Sequence, residues 1–81
     1  MSKTNQRNKS LVTVGQRIRD QRKQLKLTQK QLSINGGFQR SYVGSVERGE
    51  KNITFLKLMK LCSTLKVTMS DLLFEIELTA L

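Results

Sequence analysis

The sequence predicts an all-α protein, a single domain built as a five-helix bundle over residues 11–81. Apolar residues recur at helical spacing along most of the 81 residues, and residues that favour helix caps separate these stretches. The chain contains no proline, and no stretch alternates apolar and polar residues as a half-buried strand would. A chain of this length forms one domain, without room for the separate subsites of a cleft enzyme.

The first helix is predicted from Leu11 to near Leu25–Leu27, because apolar residues lie at helical spacing along it: Leu11, Val14, Ile18 and Leu25. Residues 1–10 before it are polar and basic. We expect them to form a disordered basic N-terminal arm.

Two short helices follow. Thr28 is a candidate N-cap for a helix over residues 29–35, since its hydroxyl can accept a hydrogen bond from an amide of the first turn. The Asn-Gly-Gly sequence at its end predicts a C-terminus in the left-handed conformation. A third helix is predicted over residues 39–48, with Gly49 as its stop.

A fourth amphipathic helix is predicted over residues 55–65, with Thr54 as its N-cap. The last helix is predicted over residues 72–78, and Ser70 and Asp71 are the candidate caps at its start.

Charge divides the chain into two parts. Fifteen basic residues against six acidic ones give a net charge of +9. Residues 1–51 hold twelve of the bases and three of the acids, whereas residues 52–81 hold three of each. A polyanion, either nucleic acid or an anionic membrane surface, is therefore the expected partner of the first part.

Histidine is absent and Cys62 is the single cysteine. The composition therefore excludes a zinc finger, an internal disulfide and histidine-based catalysis, and we expect neither an enzyme nor a cofactor. No apolar run approaches the ~20 residues of a transmembrane helix, and no signal peptide follows the polar start. We expect a cytoplasmic, nucleoid-associated protein without a membrane partner or a small-molecule ligand.

Two short helices joined by a glycine turn lie inside the basic part of the chain. This arrangement is typical of a helix-turn-helix, in which the second helix enters a DNA major groove about 12 Å wide. Ser33 is small and lies four residues before Gly37, so the helices can approach closely, while Val43 and Val46 fill the space behind them. The sequence therefore predicts a DNA-binding domain.

Four groups of residues carry a family resemblance: Leu27-Thr28-Gln29 with Leu32, Gly37, Arg40-Ser41-Tyr42-Val43, and Val46-Glu47-Arg48-Gly49. They resemble the Cro and phage-repressor (XRE) helix-turn-helix family over about Leu11 to Leu78. The resemblance implies the lambda-repressor-like fold and sequence-specific DNA binding in transcriptional regulation. Ser33 departs from the family, which usually has alanine there, but it is small enough to keep the helices close.

Arg22 and Glu47 are expected to form a buried ion pair. Arg22 extends the apolar stripe of the first helix and Glu47 lies one turn beyond Val43, so both charges point inward, where neither should be buried alone. The family resemblance implies the same pair between the first and third helices. The alternative is two solvated charges.

The outward face of the third helix carries the candidate base-reading residues Gln39, Arg40, Ser41, Tyr42 and Ser45. Arg40 is the strongest candidate, because its planar guanidinium can donate two hydrogen bonds to guanine O6 and N7. The resemblance implies that Arg40, Ser41 and Ser45 contact bases. Tyr42 is expected on a thymine methyl or the DNA backbone, and Gly44 is expected to let the helix sit close.

Candidate phosphate contacts flank this helix: Gln29, Lys51 and Asn52, with Arg17, Lys30 and Arg48 as additions. The start of the second helix offers free amides to an anion. In related proteins these segments hold the DNA backbone. The alternative for each side chain is a solvated surface position.

The last helix has more apolar side chains than one face of a small domain can bury. We expect a homodimer whose interface includes Leu65, Leu72, Leu73, Phe74 and Ile76. One recognition helix covers only a few base pairs, whereas a twofold dimer reads half-sites about 34 Å apart. The alternative is that the additional apolar side chains of the last helix pack under the fourth helix.

Within the family, the segment from Arg40 to Ile53 looks most like the controller proteins of restriction-modification systems. That resemblance implies a homodimer that binds a palindromic operator in double-stranded DNA, activates transcription at low occupancy and represses it at higher occupancy. RNA polymerase is a further candidate partner.

Two alternative functions stay open. A phage-type repressor or a DNA-binding antitoxin would use the same helices, and an antitoxin would co-purify with its toxin. A basic module that binds RNA or membranes would show no preference for DNA sequence.

Overall fold

A computed structural model describes residues 8–76 of the chain. Five helices lie in this part: α1 (Lys9–Gln24), α2 (Gln29–Gly36), α3 (Arg40–Glu47), α4 (Phe55–Leu65) and α5 (Met69–Leu73). The described residues contain no strand. The predicted all-α, five-helix fold is therefore confirmed.

The first helix begins two residues earlier than the sequence analysis predicted. Asn8 is its N-cap, and the Asn8 side-chain oxygen accepts hydrogen bonds from the backbone amides of Ser10 at 2.8 Å and Leu11 at 3.2 Å. Asn8, Lys9 and Ser10 thus belong to the helix and its cap, and the prediction that they are part of a disordered arm was wrong. The rest of that predicted arm lies outside the described residues.

The two central helices start and stop as their sequence indicates. Thr28 and Gln31 form a reciprocal capping box, in which the Thr28 hydroxyl accepts from the Gln31 amide at 3.0 Å and the Gln31 side chain accepts from the Thr28 amide at 2.8 Å. Gly37 ends α2 with a φ of 73°, and Gly49 follows α3 with a φ of 77°. Both angles lie in the left-handed region that glycine adopts without strain.

The fifth helix is shorter and earlier than predicted. Its N-cap is Thr68, which shares a capping box with Asp71, so the assignment of Ser70 as a cap was wrong. The helix ends at Leu73, because Phe74 is extended and Glu75 has a φ of 53°. It does not continue toward Leu78, and residues 77–81 lie outside the described part.

Arg17 of α1 accounts for the early end of α5. Its Nη1 donates to the carbonyl oxygens of Leu72 at 3.0 Å and Phe74 at 2.7 Å. The guanidinium also lies 4.2 Å from the centroid of the Phe74 ring. A cation that binds the last carbonyls of a helix and the following aromatic ring holds the chain there in a non-helical path.

One apolar core joins all five helices. Its largest fully buried side chains are Ile18, Leu32, Val43, Val46, Leu61, Leu65 and Leu72. Each such side chain contributes about 1.5–3 kcal/mol to stability relative to an exposed position. α1 packs on α3, α4 and α5, whereas α3 packs on α1 and α2. The remaining side of α3 is therefore left at the surface.

α1 and α3 cross in close contact at Gly15. A Cβ atom at this position would lie 2.3 Å from the carbonyl oxygen of Val46 and 2.8 Å from that of Glu47. Glycine is therefore required here by lack of space. Within residues 8–76, every helix is too short or too polar to cross a bilayer.

Candidate nucleic-acid interface

The outer side of α3 exposes most of the predicted base-reading residues together. Gln39, Arg40 and Ser41 are exposed at the start of the helix, and Ser45 is half-buried one turn later. On the opposite side, Val43 and Val46 are buried in the core. The helix thus presents a polar edge with an arginine at its N-terminal end, supported by an apolar face.

Tyr42 lies apart from this edge. Its ring stacks on that of Phe38, with the centroids 5.7 Å apart, and the Lys57 ammonium lies 4.4 Å from the centroid of the Tyr42 ring. The hydroxyl is buried without a hydrogen-bond partner among the described residues, and burial raises the pKa of Tyr42. The structure therefore places Tyr42 partly inside the protein, between α3 and a lysine of α4.

The predicted ion pair between Arg22 and Glu47 is present and buried. Arg22 Nε donates to Glu47 Oε2 at 2.6 Å, and Nη2 donates to Oε1 at 3.0 Å. The two side chains are 9% and 3% exposed. Arg22 Nη1 also donates to the carbonyl oxygen of Leu27 at 2.8 Å. The pair therefore ties α1, the following loop and α3 together.

Gln29 extends this buried pair to the surface. Its side-chain Nε2 donates to Glu47 Oε1 at 3.0 Å, so the amide of a predicted phosphate contact is oriented by a buried carboxylate. The Ser33 hydroxyl donates to the Gln29 carbonyl oxygen at 2.8 Å, and Ser33 is 3% exposed. Serine can therefore replace the alanine that is usual at this position, because its buried hydroxyl has a hydrogen-bond partner.

A second arginine–glutamate pair lies at the end of α3 and was not predicted from the sequence. Arg48 Nε donates to Glu50 Oε2 at 3.0 Å and Arg48 Nη2 donates to Oε1 at 3.1 Å. These side chains are 55% and 34% exposed. The carboxylate raises the pKa of Arg48, which is already protonated at neutral pH. The only sequence signal was the spacing of two opposite charges across a helix end.

Gly44 lies beneath the Arg48 side chain. A Cβ atom at Gly44 would lie 3.2 Å from Arg48 Nη1 and 3.4 Å from Gln29 Oε1, and Arg48 Nη2 is 3.4 Å from the Ser45 hydroxyl. Gly44 is buried. Gly44 was expected to let α3 sit close to DNA, but the space over Gly44 is occupied by the Arg48 guanidinium.

The remaining predicted phosphate contacts are divided by the structure. Lys30, Lys51 and Asn52 are exposed near the two ends of the helix-turn-helix. Arg17 instead binds the end of α5 and the Phe74 ring. The prediction that Arg17 belongs with the phosphate contacts was therefore wrong, because its guanidinium is used within the fold.

The predicted dimer interface also needs correction. Leu65 and Leu72 are 0% and 2% exposed, so they belong to the core of the protomer and cannot contact a partner. Leu73 and Phe74 are exposed at 38% and 55%, while Ile76 is half-buried against the core.

Three large apolar side chains on α4 are exposed and were not predicted as part of an interface. Phe55, Leu56 and Met59 are 66%, 74% and 46% exposed. We call these three side chains, with Leu73 and Phe74 at the end of α5, the α4–α5 apolar surface, because they are exposed apolar groups of two helices that pack on each other. The signal was present in the sequence, since α4 has apolar residues outside the stripe that its core contacts need.

Residues 8–76 contain no group of three metal-ligating side chains that could hold an ion. The exposed edge of α3 offers hydrogen-bond donors and acceptors from arginine, glutamine and serine, together with positive charge.

Comparisons with known proteins agree with this geometry. The helix-turn-helix family model matches residues 18–72. Control protein C.SmaI of Serratia marcescens is 37% identical over 60 residues, which cover 74% of this chain and 71% of that protein. The immunity repressor of Bacillus phage phi105 is 38% identical over 64 residues, 79% of this chain but only 44% of the repressor.

A solved structure shows the same likeness. The restriction-modification controller protein C.AhdI of Aeromonas hydrophila superposes with a TM-score of 0.74 at 40% identity, over 76% of this chain and 94% of that one. The family resemblance and the lambda-repressor-like fold are thereby confirmed. The chain belongs to the helix-turn-helix family and is a transcriptional regulator.

Proposed function

We propose that the chain is a controller protein of a restriction-modification system, which binds a palindromic DNA operator as a homodimer. The observation that carries the DNA-binding part is the exposed edge of α3 led by Arg40, held in place by the buried Arg22–Glu47 pair. The similarity to two control proteins of restriction-modification systems favours this role among those of the family.

In this proposal Arg40 donates two hydrogen bonds to a guanine in the major groove, and Gln39, Ser41 and Ser45 contact neighbouring bases. Tyr42 contributes mainly by supporting α3, since its ring packs on Phe38.

Phosphate contacts position the helix in the groove. Gln29 and Lys30 lie in the first turn of α2, where backbone amides and the helix dipole favour an anion, and Lys51 and Asn52 follow α3. The net charge of +9 supplies long-range attraction to DNA.

A second copy of the chain would cover the α4–α5 apolar surface. Its five large side chains are each at least 38% exposed, and exposed apolar groups on neighbouring elements are typical of a contact with another protein. A twofold dimer would place two copies of α3 about 34 Å apart, one per half-site. Activation from such an operator would require contact with RNA polymerase.

A phage-type repressor is the second candidate, because the phi105 immunity repressor is 38% identical to this chain. The chain spans less than half of that repressor. The operator's neighbouring genes distinguish the two roles: a restriction endonuclease gene for a controller, and phage genes for a repressor.

Selection of bound sequences from a random DNA pool tests the proposed function. We expect a twofold-symmetric product, and Arg40→Ala should weaken binding to it by about 1–3 kcal/mol with little change on random DNA. Equal binding to all sequences would instead indicate a nonspecific basic module.

The dimer is tested by sedimentation of Leu56→Asp, which puts a charge into the α4–α5 apolar surface and should give monomers that bind the operator weakly. Ile34→Asp is the matched control, because Ile34 is 67% exposed but lies on α2. A dimer that survives Leu56→Asp would contradict this interface.

A further inference from the structure

The Arg48 side chain follows the last residue of α3 and packs against that helix. It folds back along α3, so that Nη1 lies over Gly44 and Nη2 lies 3.4 Å from the Ser45 hydroxyl. Gly44 and Ser45 continue the face that begins with Arg40 and Ser41, since residues four apart lie on one side of a helix. The guanidinium therefore lies along the face that would enter the groove.

We propose that Arg48 reads a guanine of the operator and that Glu50 positions its guanidinium to do so. The proposal rests on the proposed function and revises the expectation that Arg48 contacts a phosphate. Glu50 is a positioning residue, because it acts through Arg48.

The hydrogen bonds of the pair leave one edge of the guanidinium available. Glu50 accepts from Nε and Nη2, which form the side edge of the planar group. The end edge is formed by Nη1 and the second hydrogen of Nη2. On this edge Nη2 makes one long hydrogen bond, 3.4 Å to the Ser45 hydroxyl, which an approaching base would replace, and no hydrogen bond from Nη1 reaches another residue among 8–76. Two parallel donors on this edge match O6 and N7 of guanine.

The carboxylate favours a base over a phosphate as the partner of Arg48. Glu50 offsets the positive charge of Arg48, so that the pair attracts a phosphate less than a lone arginine would, and the carboxylate itself repels the phosphate. Guanine O6 and N7 are neutral acceptors, and a neutral pair can still donate two hydrogen bonds to them. The bidentate contact with Glu50 also restricts the arginine rotamers before DNA binds, which lowers the entropy lost on recognition.

Sequence selection with the full chain tests the proposal, using wild type, Arg48→Lys and Glu50→Gln. Arg48→Lys keeps the charge but loses the fork, so we expect it to reduce the preference for guanine at one symmetric pair of operator positions by about 10-fold or more, with the other positions retained. Glu50→Gln should weaken the same preference, tighten binding to random DNA and steepen its salt dependence.

Lys51→Ala is the matched control for a phosphate contact, and it should weaken all sequences alike while flattening the salt slope by about one unit. Arg48→Ala should mainly reduce the preference for guanine and should change the salt slope less than Lys51→Ala does. Because Arg48 and Glu50 are exposed, the variants are expected to fold, which circular dichroism verifies.

Several results would overturn the proposal. If Arg48→Ala behaves like Lys51→Ala, Arg48 is a phosphate contact. If Arg48→Lys loses the guanine preference but Glu50→Gln keeps it, the positioning role of Glu50 is wrong. If wild type enriches a symmetric site and every variant enriches it equally, this proposal fails alone. If wild type enriches no sequence at all, the proposed function fails first.

Discussion

Two arginine–glutamate pairs lie at the C-terminal end of α3, and they differ mainly in their exposure to water. In both, the Nε and Nη2 atoms of an arginine bind the two oxygens of one carboxylate. The Arg22–Glu47 side chains are 9% and 3% exposed, whereas those of Arg48 and Glu50 are 55% and 34% exposed. Nearly identical hydrogen bonds thus connect α1 to α3 inside the protein in one pair and link two surface side chains in the other.

Burial makes the Arg22–Glu47 pair, which we call the inner pair, difficult to alter without loss of stability. Charges removed from water are tolerated only when further hydrogen bonds satisfy them, and here the Leu27 carbonyl oxygen and the Gln29 amide complete the set. The outer pair, Arg48–Glu50, is largely solvated, and an exposed ion pair of this kind adds little to stability.

The largest expected effect is a loss of stability that distinguishes the carboxylate of Glu47 from that of Glu50. Glu47→Gln should lower the free energy of unfolding by about 3–5 kcal/mol, because it leaves the Arg22 charge buried without its counter-ion. Urea denaturation measures this, and Glu50→Gln is the matched control that should leave the midpoint nearly unchanged. Comparable losses in both variants would mean that exposure does not distinguish the pairs.

A second, smaller effect should follow from separating α1 from α3. Gly15→Ala would bring a methyl group against the carbonyl oxygens of Val46 and Glu47, and overpacking of this kind costs about 1–3 kcal/mol. The displaced helix would also admit water to the inner pair. Equilibrium unfolding measures the loss.

Thr13→Ala, at an exposed position of the same helix, is the control for the change in helix propensity. A Gly15→Ala protein that is as stable as wild type would show that the crossing can relax without consequence.

The smallest expected effect concerns a third carboxylate, that of Asp71, which is exposed but bound to backbone. Asp71 Oδ2 accepts from the Thr68 amide at 2.8 Å, and this capping box lowers the pKa of Asp71 below its ordinary 3.8. A lowered pKa means that the stabilisation is present above the unfolded value and is lost as pH falls through the folded value. The Tm difference between wild type and Asp71→Asn should therefore shrink below about pH 4. A difference independent of pH would show that the hydrogen bond, rather than the charge, stabilises α5.

Local signals allowed most of the fold to be predicted. Thr28, Thr54, Gly37 and Gly49 mark helix ends through interactions within a few residues, and the structure confirms each of them. The inner pair could be predicted too, because helical spacing places Arg22 inward.

The errors arose where distant residues decide the outcome. The end of α5 depends on Arg17, which is 55 residues before Leu72 in the chain. Sequence spacing could not show that contact, so α5 was extended too far and Arg17 was assigned to DNA. Leu65 and Leu72 were assigned to a dimer because an apolar stripe does not itself reveal which side meets the core.

The candidate site was predicted in its composition but not in its arrangement. Arg40 and Ser41 are exposed as a helix face requires, whereas the packing of Tyr42 on Phe38 depends on how α3 lies against its neighbours. Arg48 and Glu50 both follow the end of α3, so helical spacing could not predict that their side chains would meet.

The absence of a side chain at Gly44 has a consequence for how regulators of this kind diverge. Any larger residue there would displace the Arg48 guanidinium by a few tenths of an ångström or more, while the core and the exposed side chains at the start of α3 stay the same. Under the proposed role of Arg48, a duplicated gene that acquires one such replacement would encode a protein with the same fold and an altered choice of target. With Arg48 in the role proposed above, position 44 would change the choice of target through the side chain that lies over it.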